Sequence, residues 1–444
     1  MADHIDQRAL DEVVRFTSDL IRFDTTNRGG GDGVERPAAE YVAERLADAG
    51  IEPLVLEKAP GRTNVVARIA GTDPSADALL VHGHLDVVPA DPDEWTVPPF
   101  SGEIRDGVVW GRGAVDMKDS DAMVLAVVRA WARAGVRPRR DIVLAFTADE
   151  EDTAQFGSNF LVTTRPELFD GCTEAVGESG AYTFHPGDGR RIYPVAAGER
   201  GTSWLALTAR GRAGHGSKIN PENAVTRLAA AVTRIGEHTW PVRLTPTVRA
   251  ALVELTALYG LPLPDLDGEV AGATVDDLLA RIGPAAGLVA ATVRNSANPT
   301  MLDAGYKLNV IPGSATAYVD GRVLPGGDDE FMATLDRLTG PDVEWTYAHR
   351  EIPLEAPVDA PAFAVMREAL SHFDPGAHVI PYCMSGGTDA KQFSRLGMRS
   401  YGYMPLRLPE GFDYQAMFHG VDERVPVAAL HFGTHVLDRA LRAL

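Results

Sequence analysis

Cysteine is nearly absent: Cys172 and Cys383 are the only two in 444 residues. No CxxC pair occurs, which excludes a cysteine zinc site and a dithiol redox centre. Basic charge is in short supply, with a formal net charge of −20 and no basic face, so a nucleic-acid binder is not expected. An anionic substrate would have to be met by single, placed Arg or Lys residues. No stretch approaches the roughly 18 apolar residues of a membrane span. The opening "MADHIDQRALDEVVRFTSDLIRF" carries charge throughout and reads as an amphipathic helix rather than a secretory signal, so the expected location is cytoplasmic. There is no HExxH zinc helix, no G-x-S-x-G elbow and no P-loop. Internal repeats and low-complexity tracts are missing too.

What is there is globular. Hydrophobic residues make up 45% and charged residues 23%, enough for a sizeable core. The length calls for two or three domains. Helical stripes over 7–23 and 36–49 are followed by apolar strands, "TNVVARIA" and "ALLVHGHL", then a buried helix over 120–134 and another strand, "DIVLAFTADEE". This alternation predicts an α/β domain with a largely parallel sheet. After about Pro194 the pattern changes. "TSWLALTARGRAG" alternates like a half-exposed strand, and "NPENAVTRLAAAVTRIGEH" reads as a helix opened by Asn220 with Pro221 in its first turn. The expected layout is a catalytic domain over 1–197 and 350–444, interrupted by an α+β lid over 198–349. Within that lid, 238–306 reads as a mostly helical, Pro-rich insertion.

The chemistry sits where strands end. "HGHLD" offers His82, His84 and Asp86; "GRGAVDMKD" offers Asp116 and Asp119; "ADEED" offers Asp149, Glu150, Glu151 and Asp152; "VGESG" offers Glu178; "MFHGVDE" offers His419. In an open α/β sheet, ligands gather beyond the carboxyl ends of the strands. Carboxylates crowded there repel unless positive charge lies among them, and two divalent metal ions would supply it. Imidazole and carboxylate together suit Zn2+, with Co2+ or Mn2+ as alternatives. Each motif alone is also compatible with a wet strand end or a solvated acidic surface.

The ordered set "HGHLDVVP", "WGRGAVDMK", "DEE", "GES", "GHGS", "NVIPG", "DGRVLP", "GGTDA" and "HGVDERV" resembles the two-zinc family of aminoacylase, carboxypeptidase G, acetylornithine deacetylase and succinyl-diaminopimelate desuccinylase. The resemblance runs from about residue 80 to 430. It implies a zinc-exopeptidase-like catalytic domain, in which a mostly parallel mixed sheet is flanked by helices, with an inserted lid that pairs two copies in family dimers. It implies His84, Asp116, Glu151, Glu178 and His419 as metal ligands, Asp116 bridging both ions through a cis Asp116–Met117 peptide. Asp86 would orient His84, and Glu150 would act as general base on a shared water and return its proton to the leaving amine. His215 would donate to the oxyanion. Asn309, Arg322, Gly386, Gly387 and Thr388 would contact the substrate, Arg322 as a carboxylate clamp. His82 carries no catalytic role and reads as support beneath the site. The departures are Asp119 after "DMK", Thr153 and Ala154 after the paired Glu, and Gly216 in "GHGS"; none removes a ligand. The implied reaction is amide hydrolysis of an N-acyl amino acid bearing a free carboxylate, with a dipeptidase or carboxypeptidase as the nearest rival. No membrane or nucleic-acid partner is expected.

Overall fold

The computed structural model describes residues 4–268 and 270–444. The chain divides into two compact units, one of residues 1–197, 356–381 and 388–444, the other of 198–355 and 382–387.

The larger unit is built on a nine-stranded mixed sheet. Four neighbouring strands at its centre, Ile142–Thr147, Ala78–His84, Cys172–Gly177 and Arg399–Gly402, run parallel. Pro53–Ala59 and Arg62–Ile69 extend one side as an antiparallel hairpin, and Ile192–Glu199 pairs antiparallel on the other. Every residue of Ala78–His84 is buried, as expected of a strand with helices on both faces. Helix Lys118–Ala134 is the central crossover, buried from Lys118 to Trp131 and stopped by Gly135 in the left-handed conformation (φ +64°). It packs on Gln7–Ile21 and Val427–Ala443. The first of these starts where the Asp6 side chain accepts the Ala9 N–H at 2.8 Å. The expected α/β class holds, with four parallel strands at the centre and antiparallel pairs on either side.

The smaller unit is a four-stranded antiparallel sheet in the order Ser296–Ala304, Ser314–Val323, Gly201–Arg210, Val343–Arg350. Leu205, Leu207 and Ala209 pack with Leu228 and Ala231 of helix Ala224–Gly236 and with Phe331 and Leu335 of Asp328–Thr339. Two expectations need correction here. Asn220 does not open the first helix: its side-chain carbonyl accepts the Glu222 N–H in a local turn, and Asn223 caps instead, accepting from Val225. The helical reading of 238–306 also runs too far. Helices Pro246–Leu258 and Gly272–Ile282 lie within it, but Ser296–Ala304 is a strand. Pro299 hid that strand. It is tolerated because the strand lies at the sheet edge and bulges between Pro299 and Met301.

Candidate metal centre

Three adjacent parallel strands deliver the first groups. His84 ends its strand and lies in register with Thr147, whose strand runs on into Asp149, Glu150 and Glu151. Glu178 follows directly on Gly177 of the strand on the other side. His84 is buried, and its Nδ1 donates to the main-chain carbonyl of Asp86 at 3.0 Å. That bond turns Nε2 toward Asp116 Oδ1 at 3.1 Å and Glu178 Oε2 at 3.8 Å, with Glu150 Oε2 at 4.0 Å. Asp116 lies on the loop before the central helix, and its peptide bond to Met117 is cis. Its second oxygen, Oδ2, faces His419 Nε2 at 3.3 Å, and His419 lies 3.1 Å from Glu151 Oε2.

Two groups of three result, each able to hold a metal ion: His84, Asp116 and Glu178, and Asp116, Glu151 and His419. Asp116 belongs to both, one oxygen to each. The electrostatics agree with such occupants. Burial opposes charge on His84, but Asp116, Asp86 and Glu178 outweigh it and carry the imidazole well above its usual value. Asp116 and Glu151 draw His419 up to about 10. Burial and the charge of Asp116 push Glu151 up to about 7, and burial with Glu178 pushes Glu150 well above the carboxylate range. Glu151 Oε1 is buried without a hydrogen-bond partner. Protons are drawn to this site because positive charge is wanted there, and the donor set of imidazole and carboxylate suits a divalent cation.

Asp86 contributes more than its carbonyl. Its carboxylate faces His84 Nδ1 at 3.7 Å and also holds main-chain groups: Oδ1 accepts the Glu150 N–H and Oδ2 the Glu151 N–H, both at 3.1 Å. The residue implied as a histidine orienter also cradles the turn carrying both glutamates. Asn27 Nδ2 joins Asp86 (2.9 Å) to Asp149 (3.1 Å), and Arg62 joins Asp149 (2.8 Å) to Glu35 (2.9 Å), all buried. Asp149 stands in the left-handed region (φ +66°), a conformation that its surroundings must hold. Motif reading missed Asn27, Arg62 and Glu35. Asn27→Ala is expected to lower kcat/KM by about 10–100-fold, as loss of supporting partners around metal sites does. Steady-state kinetics at wild-type level would show that the turn needs no such support.

Asp389, the acid of the "GGTDA" loop, has a supporting part. Its carboxylate accepts from Thr147 Oγ1 (2.6 Å) and Ser158 Oγ, tying down the strand end that precedes the glutamates. His82 lies beneath, its ring 5.0 Å from that of Phe393, and burial lowers its pKa to about 3, so it is neutral. Gly177 is matched to it, since an added Cβ would fall 2.3 Å from the His82 ring. Gly177→Ala is expected to cost about 1–3 kcal/mol of stability by overpacking, read by denaturant unfolding.

In the smaller unit, Gly214–His215 pairs with Val310–Ile311, and Gly216 N–H donates to the Asn309 carbonyl at 2.9 Å, so His215 and Asn309 share one ribbon. His215 is exposed, with Ser217 Oγ 2.9 Å from its Nδ1. It lines a cavity of about 420 Å³ with Arg212 and Lys218. Arg322 donates through Nε and Nη2 to Asp320 at 2.7 and 3.1 Å, and through Nη1 to Thr202 at 3.2 Å. Its fork is thus held by a carboxylate of its own strand. Gly386 and Gly387 lie in the 382–387 segment of this unit, while Thr388 begins the next stretch of the larger one, where its Oγ1 accepts the Ala390 N–H.

Residues 80–443 match peptidase family M20/M25/M40. The chain belongs to that family. The human N-fatty-acyl-amino acid synthase/hydrolase PM20D1 is 30% identical over 377 residues, covering 81% of this chain and 73% of the relative. Human aminoacylase-1 is 26% identical over 420 residues, covering 92% of this chain and 90% of the relative. Among solved structures, the M20 metallo-carboxypeptidase Sso-CP2 of Sulfolobus solfataricus shares the fold, with a TM-score of 0.69 at 16% identity over 97% of this chain and 99% of that one. As an M20 member the chain is a hydrolase of amide bonds. No helix among the described residues is long and apolar enough to cross a membrane.

Proposed function

We propose that this M20 hydrolase cleaves the amide of N-acyl amino acids, with two divalent cations, Zn2+ by choice of donors, held on the two groups that share Asp116. The observation that carries the reading is the division of Asp116, Oδ1 toward His84 and Oδ2 toward His419, with a separate carboxylate completing each side. When bound, such a pair supplies Lewis-acid polarisation of the amide carbonyl and acidifies water. Glu150 takes no place in either group and stands 4.0 Å from His84 Nε2, positioned to remove a proton from water and pass it to the leaving amine. As the family resemblance implies, His215 would donate to the oxyanion. Arg322 would bind the substrate carboxylate by exchanging Asp320 for it, a planar fork meeting an equivalent partner.

The names of the relatives at 30% and 26% identity favour an acyl group over an unblocked amino terminus. The test is an activity screen, with metal supplied, over N-acetyl and long-chain N-acyl amino acids and unblocked dipeptides. Release of free amino acid from the acylated set is expected. Turnover of dipeptides alone would overturn the acyl assignment in favour of a dipeptidase.

A further inference from the structure

Glu423 stands four residues beyond His419 and belongs to neither metal group. Its side chain is fully buried. Oε1 accepts the main-chain N–H groups of Val115 (2.7 Å) and Asp116 (3.0 Å). Oε2 accepts the Gly113 N–H and Arg112 Nη1, both at 2.9 Å. The main-chain carbonyl of Glu423 takes the Gly111 N–H at 2.9 Å, and strand Arg424–Pro426 then pairs with Val108–Trp110. Next to it, the Asp422 carboxylate accepts the Thr96 N–H (2.7 Å) and Thr96 Oγ1 (2.6 Å). The loop over 113–116 needs these acceptors, because buried N–H groups without partners are costly. One of the N–H groups gathered belongs to Asp116 itself.

We infer that Glu423 is a positioning residue for Asp116. It fixes the peptide plane at Asp116, and so the direction in which the two carboxylate oxygens open toward His84 and His419. Because Glu423 and His419 share one short loop, the same contact sets the spacing between Asp116 and His419. A site of this kind tolerates displacements of only about 0.5 Å. The inference rests on the two-metal reading.

The test is Co2+ titration of metal-stripped protein, followed by visible absorption and calorimetry. Wild type is expected to take two equivalents. Glu423→Gln places an amide N–H₂ against N–H donors, and at least one equivalent is expected to bind about 10–100-fold more weakly, with an altered absorption band and kcat falling more than KM. Glu423→Asp keeps the charge but is one methylene short, and is expected to fall between the two. A merely structural role would lower the melting temperature while the folded variants bind both ions with wild-type affinity and spectrum; that result overturns the inference. If Glu423→Gln does not fold, the Asp variant decides in the same way. A wild-type chain that takes fewer than two ions overturns the two-metal reading, and this inference with it.

Discussion

Glu150→Ala is expected to abolish measurable turnover, a loss of about 10²–10⁴-fold or more in kcat, while the folded protein keeps nearly its full metal content. The two halves of that expectation have different origins. Metal retention follows because neither group of ligands contains Glu150. The turn that carries it is anchored through main-chain N–H groups on Asp86, which the substitution leaves in place. The loss of rate follows from what remains. Glu151 and Glu178 are each committed to a group, and His84 spends Nδ1 on the Asp86 carbonyl. No other carboxylate of the centre is then free to carry a proton from water to amine. Glu150→Gln keeps the volume and removes the base, and should match the alanine variant. Metal analysis beside kcat on the same preparations checks both parts. Surviving turnover would remove Glu150 from its role as base. Loss of metal with turnover would instead make it a ligand.

How much of this was legible in the sequence depends on what kind of contact each residue makes. His84, Glu150, Glu151 and Glu178 follow apolar strands directly, so their convergence could be read from the rule that open α/β sheets work at their carboxyl ends. Asp116 and His419 were read with the strand ends, but neither ends a strand: Asp116 lies on the loop before Lys118–Ala134, and His419 in a turn after Gln415–Met417. Asn27, Arg62 and Glu35 were invisible. Asn27 lies in a Gly-rich loop 59 residues before Asp86, and an Arg or Glu is ordinarily a surface residue unless paired. Only the fold shows Arg62 paired twice in the interior. Glu423 stood in the quoted motif "HGVDERV" with no role assigned to it. Asp86 faces His84 as expected, but its hold on the glutamate turn through two main-chain N–H groups left no mark in the spacing. The edge strand Ser296–Ala304 failed for a related reason: Pro299 argues against a strand until the sheet edge that admits it is known.

Removal of the cations is expected to lower stability as well as activity, and to do so more at higher pH. Without cations, burial and the charge of Asp116 hold Glu151 at about 7, against roughly 4.3 in an unfolded chain. Between those values the folded chain holds a proton that the unfolded chain has lost. The stability gained from this group is therefore complete below about pH 4 and disappears as pH rises to 7. Hydrogen bonds that His419 donates to Asp116 and Glu151 hold it at about 10, against roughly 6.5 unfolded. Its contribution is present below about pH 6.5 and is lost as pH climbs toward 10. His84, also raised, acts in the same direction. Protons thus stand in for the cations at low pH and are withdrawn at high pH, leaving the carboxylates of Asp116, Glu151 and Glu178 to repel. Cation binding releases those protons, so affinity strengthens as pH rises. Each site filled at a hundredfold excess over its Kd adds about 2.7 kcal/mol. Thermal unfolding with and without Zn2+ should show a gap in Tm that widens from pH 5 to pH 8, and chelated enzyme should regain activity when Zn2+ is returned. A gap that is constant or narrows over this range would mean that these groups do not exchange protons for metal, and activity that survives chelation would count against cations at this centre altogether.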